Sequence, residues 1–276
     1  MLGLLTIKIG INPNIGHIGG LTLAWHGVFI ALGIAAGVYV AVLMARRKGF
    51  IDDDSYSIAF AAVVGGIIGA RALFVAENWG QLNGNLWNAF RINEGGISVY
   101  GGIIGGTLGG WLYGMWKRLP IWKGLDAGAV GVILGQAIGR IGCNINGEHI
   151  GSPSHLPWAV VYANVNSPSF GLGPRQPAVG YELIGDVLIL GVLLLLWRIS
   201  KRDGVVFTTY ALLYAVLRFG VSFFRLDNEP LLGLRLAQLL ALGFIAVSLV
   251  SFAYLWRTAG RGQGSVDSKM LQPGRP

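Results

Sequence analysis

Apolar runs separated by short polar connections recur along the chain, near Leu21–Ala45, Ser57–Ala76, Gly95–Trp116, Gly124–Ile145, Gly180–Ile199, Gly204–Phe224 and Leu236–Trp256. Each reaches or approaches the roughly 20 residues that an α-helix needs to cross the hydrocarbon of a bilayer. The first, third and last are uninterrupted, whereas the others carry ionisable residues. The pattern predicts an all-α polytopic membrane protein with about seven transmembrane helices. Glycines fall at four-residue intervals within several runs: Gly65 and Gly69; Gly101, Gly105 and Gly109; Gly131, Gly135 and Gly139. Small residues on one stripe of a membrane helix let a neighbouring backbone approach closely. Most of these glycines are expected to serve packing alone.

Basic residues sort by side. Arg46, Arg47 and Lys48 follow the first run, and Lys117, Arg118 and Lys123 the third. Arg198, Lys201 and Arg202 follow the fifth, and Arg257, Arg261, Lys269 and Arg275 the last. The excess of basic residues on cytoplasmic loops places the N-terminus outside and the C-terminus in the cytoplasm. The net charge of +8 is then a topology signal and gives no support to nucleic-acid binding. Residues 1–258 read as one transmembrane domain, and residues 259–276 as a polar, unstructured cytoplasmic tail. Residues 1–20 lack the basic start and apolar core of a signal peptide and are expected at the outer face. The connection over about 146–179 is too long for a plain linker, so a small headgroup-level subdomain is expected there.

Composition agrees: apolar residues make up 53% and charged residues 12% of the chain, about half the charged share usual in soluble domains. With a single cysteine, Cys143, there is no intrachain disulfide. Metal-ligand spacings, phosphate loops and nucleotide motifs are not evident, so neither a metal nor a cofactor is expected. His17, His149 and His155 read as interfacial or loop residues.

The charges inside the runs carry the candidate chemistry, because ionisable groups at membrane depth are costly and mark functional sites by default. Arg71 lies late in the second run, Arg140 late in the fourth, Arg218 and Arg225 at the end of the sixth, and Glu182 and Asp186 early in the fifth. The alternating orientation puts all of them toward the outer leaflet. Arg218, Ser222 and Arg225 share one helix face. Converging guanidinium groups suit an anionic phosphate, which they bind bidentately while staying charged. The competing reading is structural pairing with Glu182, Asp186, Glu148 or Asp227. His26, at the outer end of the first run, is either a hydrogen-bonded structural group or a proton carrier. Tyr100 opens the third run and can donate or accept a hydrogen bond. Cys143 reads as a small packing residue.

The run Gly139-Arg140-Ile141-Gly142, continued by Asn146-Gly147-Glu148 and Gly151, resembles the signature of the bacterial prolipoprotein diacylglyceryl transferases. Four further segments resemble that family's motifs in order: Gly66 to Arg71, Glu94 to Gly102, Pro174 to Glu182, and Arg218 to Asp227. The resemblance implies transfer of a diacylglyceryl group from phosphatidylglycerol to the lipobox cysteine thiol of a prolipoprotein signal peptide, releasing glycerol phosphate. It also implies a multi-pass protein of the bacterial cytoplasmic membrane, with its site toward the outer face. On this reading His26, Tyr100, Arg140 and Arg218 are catalytic. Arg71, Asn144, Asn146, Glu148, Tyr181, Glu182 and Arg225 bind substrate. Several positions depart from the family pattern. Histidine is usual where Tyr100 stands and tyrosine where His26 stands, so an imidazole and a phenol have traded places. Cys143 replaces an asparagine, with Asn144 following; Ser222 replaces a glutamate, Gln176 a histidine and Val179 a glutamine. A paralogue acting on another lipid or acceptor, a non-catalytic lipid-binding relative, and a lipid or anion transporter remain as alternatives.

Overall fold

The computed structural model describes residues 6–19, 21–77, 98–226, 230–231 and 233–270. Seven helices dominate these residues: α1 (Trp25–Arg47), α2 (Asp52–Glu77), α3 (Val99–Trp116), α4 (Ile121–Asn146), α5 (Ala178–Ile199), α6 (Val205–Ser222) and α7 (Leu236–Met270). All except α3 contain a stretch long and apolar enough to cross a membrane. The run expected from Gly95 begins outside the described residues, and its described part is the 18-residue α3. The membrane-suited part of α7 ends at Arg257, close to the expected Trp256, although the helix itself continues to Met270.

Short strands accompany the helices, which the hydropathy pattern does not predict. β1 (Ile7–Ile9) pairs in parallel with β4 (Val160–Tyr162); β2 (Asn14–Ile18) and β3 (Leu21–Ala24) form a hairpin; β5 (Pro230–Leu231) pairs with β6 (Leu234–Arg235). Leu21 to Ala24, expected as the start of the first helix, therefore belong to a strand. The alternation Leu21-Thr22-Leu23 suits a pleated edge, and Gly19 at φ 60° makes the reversal that precedes it.

Contacts divide the chain into two units, one of Met1–Gly37 with Ala129–Pro276, the other of Val38–Gly128. In the second unit α2 and α3 pack through their glycines: a Cβ on Gly65 would stand 3.2 Å from Gly109 Cα, and one on Gly69 would stand 2.8 Å from Gly105 Cα. Arg46 holds both oxygens of Asp52 at 2.5 and 2.7 Å, closing the turn from α1 to α2. Asp52, Asp53 and Asp54 start α2, where the helix dipole favours negative charge.

In the first unit α1 and α4 approach in the same way. A Cβ on Gly33 would stand 2.6 Å from the Gly135 carbonyl oxygen, and one on Gly37 would stand 2.7 Å from that of Gly131. The expected third member of the α4 stripe, Gly139, has nothing within 4 Å; Gly142 takes that place, 2.8 Å from Phe29 Cβ and 3.0 Å from His26 Cα by the same measure. The physical reason is angular. Successive steps of four drift around a helix that turns every 3.6 residues, so a step from 135 to 142 returns closer to the same face.

Candidate active site

The site grows from helix ends of the first unit: the start of α1, the end of α4, the start of α5 and the end of α6. Glu182 lies in the first turns of α5 and is 1% exposed. Three arginines converge on it. Arg140 places Nη2 2.9 Å from Oε2, Arg225 places Nη1 3.1 Å from Oε1, and Arg218 donates through Nη1 to that same Oε1. Asp186, one helical turn further on, is 0% exposed and within electrostatic reach of Arg140 and Glu182. Arg225, beyond the end of α6, is 3% exposed and anchored by a backbone bridge to Gly151. At Gly151 an added Cβ would collide with the Gln176 carbonyl oxygen, so only glycine permits this crossing.

A second cluster stands at the α4 terminus. His26 Nδ1 lies 3.5 Å from Cys143 Sγ and 3.4 Å from Glu148 Oε2, and Asn146 donates to the other oxygen of Glu148. Cys143 follows Arg140 by about one turn, so the two clusters are continuous. Gly147 leaves the helix at φ 78°, a left-handed conformation that favours glycine. A side chain there would also meet the Tyr162 ring at 2.9 Å. This turn sends the chain back, so that Glu148 faces His26.

The other expected residues fall as follows. Asn144 donates its amide to the Arg140 carbonyl at 2.9 Å, while its own carbonyl accepts from Tyr162 at 2.9 Å. Burial pushes the Tyr162 phenol up to about 12, which keeps it a neutral donor. Tyr181 donates to Gln176 at 2.9 Å and accepts from the Trp158 indole at 2.8 Å, joining the 146–179 connection to α5. Arg71 belongs to the other unit, where it is buried with its guanidinium 5.3 Å from the Phe74 ring centre. Tyr100 is in the first turn of α3 in that same unit, and Asp227 lies outside the described residues. The structural-pairing reading is correct for Arg140, Arg218 and Arg225 as far as it goes. All three pair with Glu182.

Two residues of the site are missed by the sequence pattern. His149, read as a loop residue, lies within electrostatic reach of Arg225, Arg140, Glu182 and Glu148 at φ 57°. Burial, aided by the charges of Arg225 and Arg140, holds its imidazole down to about 4, so it is neutral at ordinary pH. Arg235 donates through Nη1 to the Ser222 carbonyl, satisfying the C-terminal end of α6. Its only sequence signal is a basic residue on the side that the other spans leave poor in lysine and arginine.

Six helices suited to membrane spans define a polytopic membrane protein, and the ends of four helices of the first unit gather a buried cluster of arginines and acids. The family model described as prolipoprotein diacylglyceryl transferase matches residues 13–254. Phosphatidylglycerol–prolipoprotein diacylglyceryl transferase of Clostridioides difficile (strain 630) is 35% identical over 236 residues, covering 86% of this chain and 92% of that protein. The protein of the same name from Gloeobacter violaceus is 34% identical over 255 residues, covering 91% and 95% respectively. A further relative of that name, from Finegoldia magna, is 33% identical over 232 residues, covering 84% and 90%. The chain belongs to the prolipoprotein diacylglyceryl transferase family.

Proposed function

We propose that this chain transfers the diacylglyceryl group of phosphatidylglycerol to the lipobox cysteine thiol of prolipoproteins, releasing glycerol phosphate. The observation that carries the reading is the convergence of Arg140, Arg218 and Arg225 on the single carboxylate of Glu182. Glu182 gathers the three guanidinium groups at one place, where planar guanidinium donors suit a phosphodiester. In the reaction the acceptor thiol loses its proton and the sulfur attacks a glycerol carbon. The carbon–oxygen bond to phosphate breaks, and glycerol phosphate leaves with the bonding electrons. Arg140 and Arg218 stabilise the negative charge that grows on the leaving phosphate, and Arg225 binds the headgroup. Asn144 and Tyr181 complete the substrate-binding set.

His26 takes the thiol proton. The Glu148 carboxylate lies 3.4 Å from Nδ1, and the tautomer that serves this role carries its hydrogen on Nδ1 and accepts at Nε2. Asn146 steadies Glu148. An imidazole from α1 thereby replaces the histidine usual where Tyr100 stands. The site end of the helices faces outward, in the bacterial cytoplasmic membrane, with the basic connections inside. Residues 1–258 form the transferase domain, the 146–179 connection a small outer subdomain, and residues 259–276 a cytoplasmic tail.

The test is reconstitution of the purified protein with phosphatidylglycerol and a lipobox peptide, following peptide mass and released glycerol phosphate. The expected product is a diacylglyceryl thioether that is absent with Arg140→Ala and with His26→Ala. Full transfer by Arg140→Ala overturns the phosphate assignment. Bound lipid with no product on any lipobox peptide overturns the transfer reading.

A further inference from the structure

We infer that His26, Cys143 and Glu148 form a tetrahedral site for a zinc ion, with its fourth position open. The three donors come from the start of α1, the last turn of α4 and the turn after it, and all lie within 4.8 Å of one another. Their spacing is that of ligands around a shared centre. Zinc bonds of about 2.3 Å to sulfur and about 2.0–2.1 Å to nitrogen or oxygen put tetrahedral sulfur and nitrogen about 3.6 Å apart, and nitrogen and oxygen about 3.4 Å apart. The observed separations are 3.5 Å for Cys143 Sγ to His26 Nδ1 and 3.4 Å for His26 Nδ1 to Glu148 Oε2.

The donor set selects the ion. Thiolate and imidazole disfavour magnesium and calcium, and mixed sulfur, nitrogen and oxygen in a tetrahedral arrangement favours zinc. Asn146 occupies the other oxygen of Glu148, which fixes the carboxylate with Oε2 toward the centre, as outer partners of metal ligands commonly do. Cys143 is buried, while the side chains of His26 and Glu148 are 27% and 31% exposed, so an ion has a route in. The close approach at Gly142 is what brings His26 to Cys143, since any side chain there would meet the α1 backbone.

Occupancy has a consequence for the proposed reaction, and this part alone rests on the transfer reading. A neutral imidazole has one ring hydrogen. With zinc on Nδ1 that hydrogen sits on Nε2, which then cannot accept the thiol proton. The ion is therefore an inhibitor that acts through the tautomer of His26.

The test loads metal-depleted, detergent-solubilised protein with Co2+ as a spectroscopic stand-in for zinc, before any assay of transfer. One cobalt per chain with tetrahedral visible absorption and a thiolate-to-cobalt charge-transfer band is expected, competed away by Zn2+. The band is lost in Cys143→Ser, and Asn146→Ala, which keeps all three ligands, weakens the affinity roughly 10–100-fold. No thiolate band in the parent protein at saturating Co2+, or a band and affinity unchanged in both variants, overturns the site. Transfer is then measured on the metal-free parent with and without Zn2+. A metal-free parent that makes no thioether refutes the transfer reading and leaves the cobalt result standing. Zn2+ that binds without slowing transfer refutes the inhibitory role.

Discussion

Glu182 is the residue on which the site depends most. Removing one partner of a buried ion pair costs about 3–5 kcal/mol, because the remaining charge is left without compensation. In Glu182→Gln three guanidinium groups lose their shared counterion. The expected outcome is a loss of that order, read as a lowered unfolding temperature in detergent, and a control at exposed Lys201 leaves the temperature unchanged. An unfolding temperature for Glu182→Gln equal to the parent's means that the arginines are solvated from elsewhere. At this scale the sequence reveals the participants: arginines and acids at membrane depth are conspicuous whatever their partners. It does not reveal the pairing. That one carboxylate serves Arg140, Arg218 and Arg225 follows from α4, α5 and α6 meeting at their ends, a fact of three-dimensional proximity. His149 was invisible for the same reason, since the charges around it come from segments far away in sequence.

Helices are held by glycine contacts whose members can be told apart by substitution. Gly142 abuts Phe29 and the α1 backbone, whereas Gly139 has nothing within 4 Å. Inserting a side chain into a close contact costs typically about 1–3 kcal/mol. Gly142→Val is therefore expected to lower stability by that amount and to separate His26 from Cys143, abolishing the cobalt–thiolate band. Gly139→Ala is expected to be neutral in stability. Equal melting temperatures for the two variants would remove the close approach as the cause. In the other unit Gly69→Leu is expected to be destabilising, since the Cβ alone already falls 2.8 Å from Gly105 Cα. The four-residue spacing correctly marked the α2–α3 contacts. It misassigned one glycine on α4, because a repeat of four follows a helix face for only two or three steps before drifting off it.

Orientation belongs to the whole molecule. The basic connections and the arginine cluster are separated by the lengths of the helices in the first unit, where Arg202 lies over the Trp256 ring at 5.3 Å while Arg225 joins Glu182 at the opposite helix ends. If the positive-inside bias governs insertion, a cysteine at exposed Asn166 (Asn166→Cys) is labelled in intact cells by a membrane-impermeant maleimide. Lys201→Cys is then labelled only after the membrane is opened. The reverse pattern would put the site on the cytoplasmic side and remove access to a secreted acceptor.

Hydropathy and charge bias by themselves determined that the chain is built of membrane-suited helices, roughly where each begins and ends, and which residues are too costly to be there by chance. These properties are additive along the chain: each segment's transfer free energy depends on its own residues, so no partner has to be known. The tertiary structure alone decided the rest. It assigned Leu21–Ala24 to a hairpin, because a strand needs a partner that hydropathy does not see. It gave three arginines a shared counterion, and it placed Cys143, read as packing, beside His26 and Glu148. Pairing depends on distances between segments, and those are set only when glycine contacts bring the helices together.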